Sequence, residues 1–130
     1  NFVRTMASLA RRGVDPSVVS DQVGRLTFTD EIARAIEHLL HERPEAGVYN
    51  VTGSGAVTSW ADIARSVFAA VAGDPGRVTD VTTDAYFASA AGPVAPRPRN
   101  SVLDLTKIAA TGFTPRDAAD SLQEYLRQLA

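Results

Sequence analysis

The chain contains no cysteine. That excludes a disulfide framework and any thiolate metal site, and it fits a reducing cytosol, the expected location. No apolar run approaches the ~20 residues that a membrane-spanning helix needs, and nothing reads as a secretory leader. Neither charge dominates: 13 Lys+Arg against 15 Asp+Glu leave a formal net charge of −2. With a pI of about 5.6, a general nucleic-acid binder is not expected. Lysine is nearly missing as well. Lys107 is the only one, and every other basic residue is arginine.

What remains is 130 residues, the length of one domain with a core of its own. No internal repeat is visible. The chain opens Asn1-Phe2-Val3, and helical apolar spacing starts at once, so it reads as a piece of a longer chain.

Phe2, Val3, Met6, Leu9 and Ala10 recur at helical spacing, and Gly13 stops them. Ser17–Ser20 reads as a short buried strand, and 21–27 as a polar loop. A helix then starts at Asp30, with Ile32, Ile36, Leu39 and Leu40 expected on its buried face. Val48–Val51 is the clearest strand. Tyr49 and Asn50 alternate along it, one toward the core and the other toward a neighbour.

Ser59 and Asp62 form a capping box. Trp60, Ile63, Ala64, Val67, Phe68 and Val71 follow as the best amphipathic stripe, with Trp60 expected in the core. A third strand is expected over 78–82, and an Ala/Pro-rich loop over 84–99. Asp104 should cap a short helix that ends at Gly112. Thr114-Pro115, with Asp117, should open the last helix. The alternation favours α/β, with about three short strands and five helices.

No complete active site emerges from residue types alone. Gly53-Ser54-Gly55 stands where phosphate loops sit but matches neither glycine fingerprint, so a tight turn is the plainer reading. His38 and His41 are three apart, a spacing that can bring two imidazoles to one metal. No third ligand accompanies them. A serine nucleophile elbow is absent.

Four segments in register nonetheless carry a resemblance: "NFVRTM" (1–6), "SVVSDQVGRLTFTDEIARAI" (17–36), "GVYNVTGSGAVTSWADIAR" (47–65) and "RPRNSVLDLTKI" (97–108). Together they resemble the C-terminal part of the dTDP-4-dehydrorhamnose reductases, which are extended short-chain dehydrogenases/reductases. The resemblance implies a small α/β substrate-binding domain, over residues 1–130, of a longer parent. A missing N-terminal Rossmann domain would bind NADPH and carry a Tyr-x-x-x-Lys pair. The parent would reduce the 4-keto group of a dTDP-6-deoxyhexulose to give dTDP-L-rhamnose.

Neither the pair nor the glycine fingerprint is in this chain, so by itself it is expected to be catalytically silent and to bind no cofactor. The resemblance points to Asn1, Gln22 and Arg97 as substrate-side residues, Arg97 because a guanidinium forks onto diphosphate oxygens. The bland alternatives stay open: a helix cap, a turn residue and a solvated charge. Departures also stand out. Arg25-Leu26-Thr27 follows Gly24 where the family usually has Ser-Pro-Thr, and Glu31-Ile32-Ala33 replaces Asp-Leu-Ala. The sugar is therefore left open. So is a non-catalytic, partner-binding role for the same fold. Surfaces made for the missing domain should be apolar and prone to self-association.

Overall fold

The computed structural model describes residues 1–129. Helix α1 (Phe2–Arg11) begins at Asn1, whose side-chain oxygen accepts the Arg4 N–H at 3.4 Å. It ends before Gly13, which adopts φ +73°. Strand β1 (Ser17–Val19) buries two valines and runs parallel to β4 (Thr79–Val81), with Val18 opposite Asp80. Between them lie β2 (Val23–Gly24), α2 (Thr29–Glu42), β3 (Thr58–Ser59), α3 (Trp60–Ala72) and a 3-10 turn at Pro75–Arg77. Strand β3 pairs antiparallel with β2, Ser59 opposite Val23. After β4 come α4 (Thr83–Phe87), α5 (Thr106–Ala109) and α6 (Ala118–Leu129).

The α/β class holds, with more and shorter pieces than expected: six α-helices and four strands among the described residues. Strand β2 forms inside the stretch read as loop. Helix α4 forms at the head of the Ala/Pro loop because the Thr82 side chain caps it, accepting from the Ala85 N–H at 3.1 Å. The last helix starts at Ala118, later than Thr114-Pro115 predicts. There Asp117 receives the Ala119 and Asp120 amides at 2.7 and 3.3 Å. The short helix starts later than Asp104 predicts, with Leu105 at its N-cap and no side-chain cap, and it ends at Ala109, before Gly112. Asp104 still receives the Thr106 amide at 2.8 Å, and Gly112 takes φ +91° in the turn that follows.

The main core joins α1, α3 and α6. Val3, Met6, Ala7 and Ala10 meet Ile63, Ala64, Val67 and Phe68, and Leu122 and Leu126 close the stack. The capping box that starts α3 is present in full: Ser59 Oγ accepts the Asp62 amide at 3.1 Å, and the Asp62 carboxylate accepts the Ser59 amide at 3.0 Å. Trp60, expected in the core, is 40 % exposed and rests edge-on against Phe2. It shares the helical face of Ile63 and Val67 but stands at the first residue of α3, where it lines a groove at the edge of the core.

Hydrogen bonds from the Ser59 hydroxyl and amide, followed by Arg65, hold the Asp62 carboxyl below the ordinary aspartate value of 3.8. A depressed folded-state value adds stability above the unfolded value and loses it as pH falls through the folded one. Melting temperature should therefore fall as pH drops below ~4, and Asp62→Asn should flatten that part of the acid limb. At neutral pH the same substitution should cost about 1 kcal/mol, the usual worth of a cap.

Helix α2 is rotated by about a quarter turn from its expected face. Glu31 and Ala35 are buried, whereas Ile36 is 54 % and Leu40 70 % exposed. A second small core explains the rotation. Ile108 and Phe113 pack on Ala35 with Leu39, Tyr49, Val51 and Leu105 around them. Only a side chain as small as alanine lets α5 and the following turn approach that closely.

The expected strand at Val48–Val51 is a second correction. Its side chains alternate, Tyr49 half-buried and Val48 and Asn50 exposed, as an extended chain requires. Yet among the described residues no backbone group of 47–53 makes a backbone hydrogen bond. The segment has strand shape without a strand partner.

Candidate functional site

Strands β1 and β4 end side by side, and three segments converge just beyond them. Ser20 extends the ladder by donating to Val81 O at 3.0 Å. Asp21 then stands next to the start of α4. One carboxylate oxygen, Oδ1, accepts from the Thr83 amide at 2.9 Å and the Thr83 hydroxyl at 2.6 Å. The other, Oδ2, accepts from Arg99 Nη1 at 3.1 Å. The Thr83 side chain, its backbone amide and the Arg99 charge together lower the Asp21 pKa, partly offset by burial. Gln22 Nε2 donates to Thr83 Oγ1 at 2.9 Å. The return loop is tied to β2 by its backbone: Val23 N–H donates to Arg99 O and Ser101 N–H to Val23 O, both at 2.8 Å.

Of the three residues singled out from the sequence, Gln22 lies in this junction and Arg97 on the loop that leads to it. Gln22 is half-buried within it. Arg97 lies on the loop two residues before the pinned Arg99, exposed and without a hydrogen bond or ion pair to the described residues. Asn1 is elsewhere. It caps α1 and lines a groove of about 1280 Å³ with Phe2, Phe28, Trp60 and Tyr125. Asp30, Asp117, Asp120 and Glu124 line the same groove together with Arg116 and Arg127, which pair with Asp30 and Glu124.

Sequence reasoning missed Asp21, Thr83 and Arg99. Asp21 stood beside Gln22 in the Asp-Gln-x-Gly pattern; nothing local marked Thr83. Arg25, a departure from the family pattern, donates from Nε to Gly55 O at 2.9 Å. It lines a shallow recess with Ser54, Asp104 and Thr106. His38 bonds to Thr111 Oγ1 at 2.9 Å, while His41 reaches into solvent.

The glycine turn at 53–55 is no phosphate cradle. A Cβ on Gly53 would lie 2.7 Å from Leu26 O and 2.9 Å from Ala118 Cβ, and one on Gly55 would collide with the Asp117 carboxylate. The glycines are there for close packing, and the carboxylate repels anions. Lys107 Nζ sits 4.4 Å from the centroid of the Tyr49 ring.

The family model described as the RmlD substrate binding domain matches residues 1–130. The chain belongs to the RmlD substrate-binding-domain family. A "Spore coat polysaccharide biosynthesis protein SpsK" of Bacillus subtilis is 37 % identical over 128 residues, 98 % of this chain and 42 % of the relative. A "Probable dTDP-4,6-dihydroxy-2-methyloxan-3-one 4-ketoreductase" of Streptomyces antibioticus is 38 % identical, covering 95 % of this chain and 40 % of the relative.

Among solved structures, a dTDP-4-dehydrorhamnose reductase of Bacillus anthracis in complex with NADP superposes with TM-score 0.81 at 28 % identity. That match covers all of this chain and 43 % of the other. This RmlD-family chain thus spans about two-fifths of the length of the proteins it matches, and its α/β fold is that of the substrate-binding domain of RmlD-like reductases.

Proposed function

We propose that this chain is the nucleotide-sugar wall of an NADPH-dependent reductase of dTDP-4-dehydro-6-deoxysugars, dTDP-4-dehydrorhamnose being the first candidate, in a route to dTDP-L-rhamnose. The observation that carries the reading is the Arg97 loop. A permanently charged guanidinium without a protein partner stands on a proline-stiffened loop whose far end is bonded to β2. Holding it ready lowers the ordering cost of binding a diphosphate. Hydride and proton transfer require a bound nicotinamide and a proton donor beside the carbonyl. In this reading both come from the other three-fifths of the parent, and the chain alone is silent. The Streptomyces relative keeps the sugar open, since the ketone in its name differs from dehydrorhamnose.

Arg97→Ala in the parent reductase should weaken dTDP-sugar binding about 10- to 100-fold, the loss expected for a charge-assisted contact. NADPH affinity should stay within a factor of about two, because the cofactor is held elsewhere. Isothermal titration with each ligand checks both, and unchanged dTDP-sugar affinity would sink the assignment.

The exposed apolar stripe Ile32, Ile36 and Leu40, together with the unpaired segment at 47–53, supports the other half of the reading. Strand-shaped backbone with free donors and acceptors is a template for another strand, and the stripe is a helix face without a cover. The occupant proposed is the Rossmann domain of the same parent; in its absence, self-association would cover the same face. This face also favours a second reading, a non-catalytic partner module. A parent with an intact Tyr-x-x-x-Lys pair and glycine fingerprint supports the enzyme, and a parent without them supports the module.

A further inference from the structure

We propose that Asp21 is a positioning residue that sets the diphosphate-facing loop through Arg99, an inference that rests on the nucleotide-sugar reading above. Its two carboxylate oxygens face different elements. Oδ1 is saturated by the amide and hydroxyl of Thr83, which fixes the carboxyl against the start of α4. Oδ2 is left for Arg99 alone. The carboxylate is mostly shielded, at 21 % exposure, while Arg99 is 70 % exposed. The acid is therefore the rigid member and the arginine the member being held.

The loop gives this pair its leverage. Among the described residues no backbone hydrogen bond holds the chain between Ala90, which donates to Phe87 O, and Arg99, where the bonds at 99–101 to Val23 begin. The intervening residues are mainly alanine, glycine and proline. Pro98 keeps Arg97 in extended conformations, so Arg97 is placed by whatever fixes Arg99. Two backbone bonds set the depth of Arg99. The Asp21 pair sets its direction and draws its charge away from Arg97, two residues upstream. Without the carboxylate, the direction of Arg99 is no longer fixed, and neither is the approach of Arg97.

Asp21→Asn is the informative change, because the amide oxygen can still accept from Thr83 while the charge facing Arg99 is gone. In the parent reductase it should raise KM for the dTDP-sugar and the Kd for dTDP about tenfold. The kcat should stay within about twofold and NADPH affinity should be unchanged. Arg99→Leu should do the same, and the double variant should be no worse than either single. A lower melting temperature with KM unmoved would mean that Asp21 is only structural and would overturn the proposal. So would a full Asp21→Asn effect in the Arg99→Leu background.

Amide hydrogen exchange of the wild-type chain and Asp21→Asn separates this from the reading it rests on. Exchange at Ser101 should speed up about tenfold with or without nucleotide. If it does so in a protein that never binds dTDP, the nucleotide reading fails and the positioning stands. If Ser101 is unaffected, the positioning fails whatever the ligand.

Discussion

Phe68→Ala should cost about 3–5 kcal/mol, the usual range for emptying a buried aromatic site. Phe68 has no exposed surface and lies at the centre of the core between α1, α3 and α6. Its neighbours Val67 and Ala64 are equally buried, so the vacated space lies among side chains already packed. The loss has a second component. The guanidinium carbon of Arg77 lies 5.2 Å from the ring centroid. Arg77 also donates to Asp15 at 2.6 Å and to Ala10 O at 3.3 Å, and its remaining Nη2 is buried without a partner. The ring face offsets that buried charge, and alanine removes it.

Against a total of about 5–15 kcal/mol for a domain, such a loss leaves a measurable unfolded fraction. Urea titration checks it. Phe68→Leu should lose much less, since it keeps most of the volume. A loss under about 1 kcal/mol for alanine would show that the core collapses around the gap.

Glu31→Ala comes second, at about 2–4 kcal/mol, from an orphaned amide plus a cavity. Glu31 is 3 % exposed. Oε1 accepts the Arg116 amide at 3.0 Å, and Oε2 meets Arg34 Nη1 at 2.6 Å. The Arg116 amide has no other acceptor among the backbone bonds, although its carbonyl serves Ser54 N at 2.8 Å. Glu31 therefore fastens the entrance of α6 to the first turn of α2.

Glutamine keeps an acceptor for the amide and gives up the charge shared with the half-exposed Arg34 and, at 4.0 Å, with Arg116 Nε. Glu31→Gln should accordingly cost about 1 kcal/mol, since pairs open to solvent contribute little. Equal losses for the two variants in denaturant titrations would count against the amide bond as the main contribution.

Glu31 also marks where reading along the chain went astray. Ile32, Ile36, Leu39 and Leu40 make a sound amphipathic stripe. The chemistry that puts an apolar stripe inside does not say inside what. Here much of that stripe looks outward, and the inward face is Glu31, Ala35, His38 and Leu39. In the proposed parent, the stripe and the 47–53 segment are both covered. A strand needs a partner as much as a propensity, and Val48–Val51 has the propensity alone.

By itself the sequence determined what depends on neighbours within about four residues. Asn1 and Ser59 cap their helices, Asp62 completes its box, Asp104 receives Thr106, and Gly13 and Gly112 turn with positive φ. It also determined the family, through four weak motifs in register. Only the tertiary structure decided the face of α2, the isolation of Val48–Val51 and the company of Gln22. The reason is distance along the chain. Asp21 meets Thr83 across 62 residues and Arg99 across 78, contacts that no local spacing encodes. They exist because β1 and β4 lie in parallel and deliver their ends to one place.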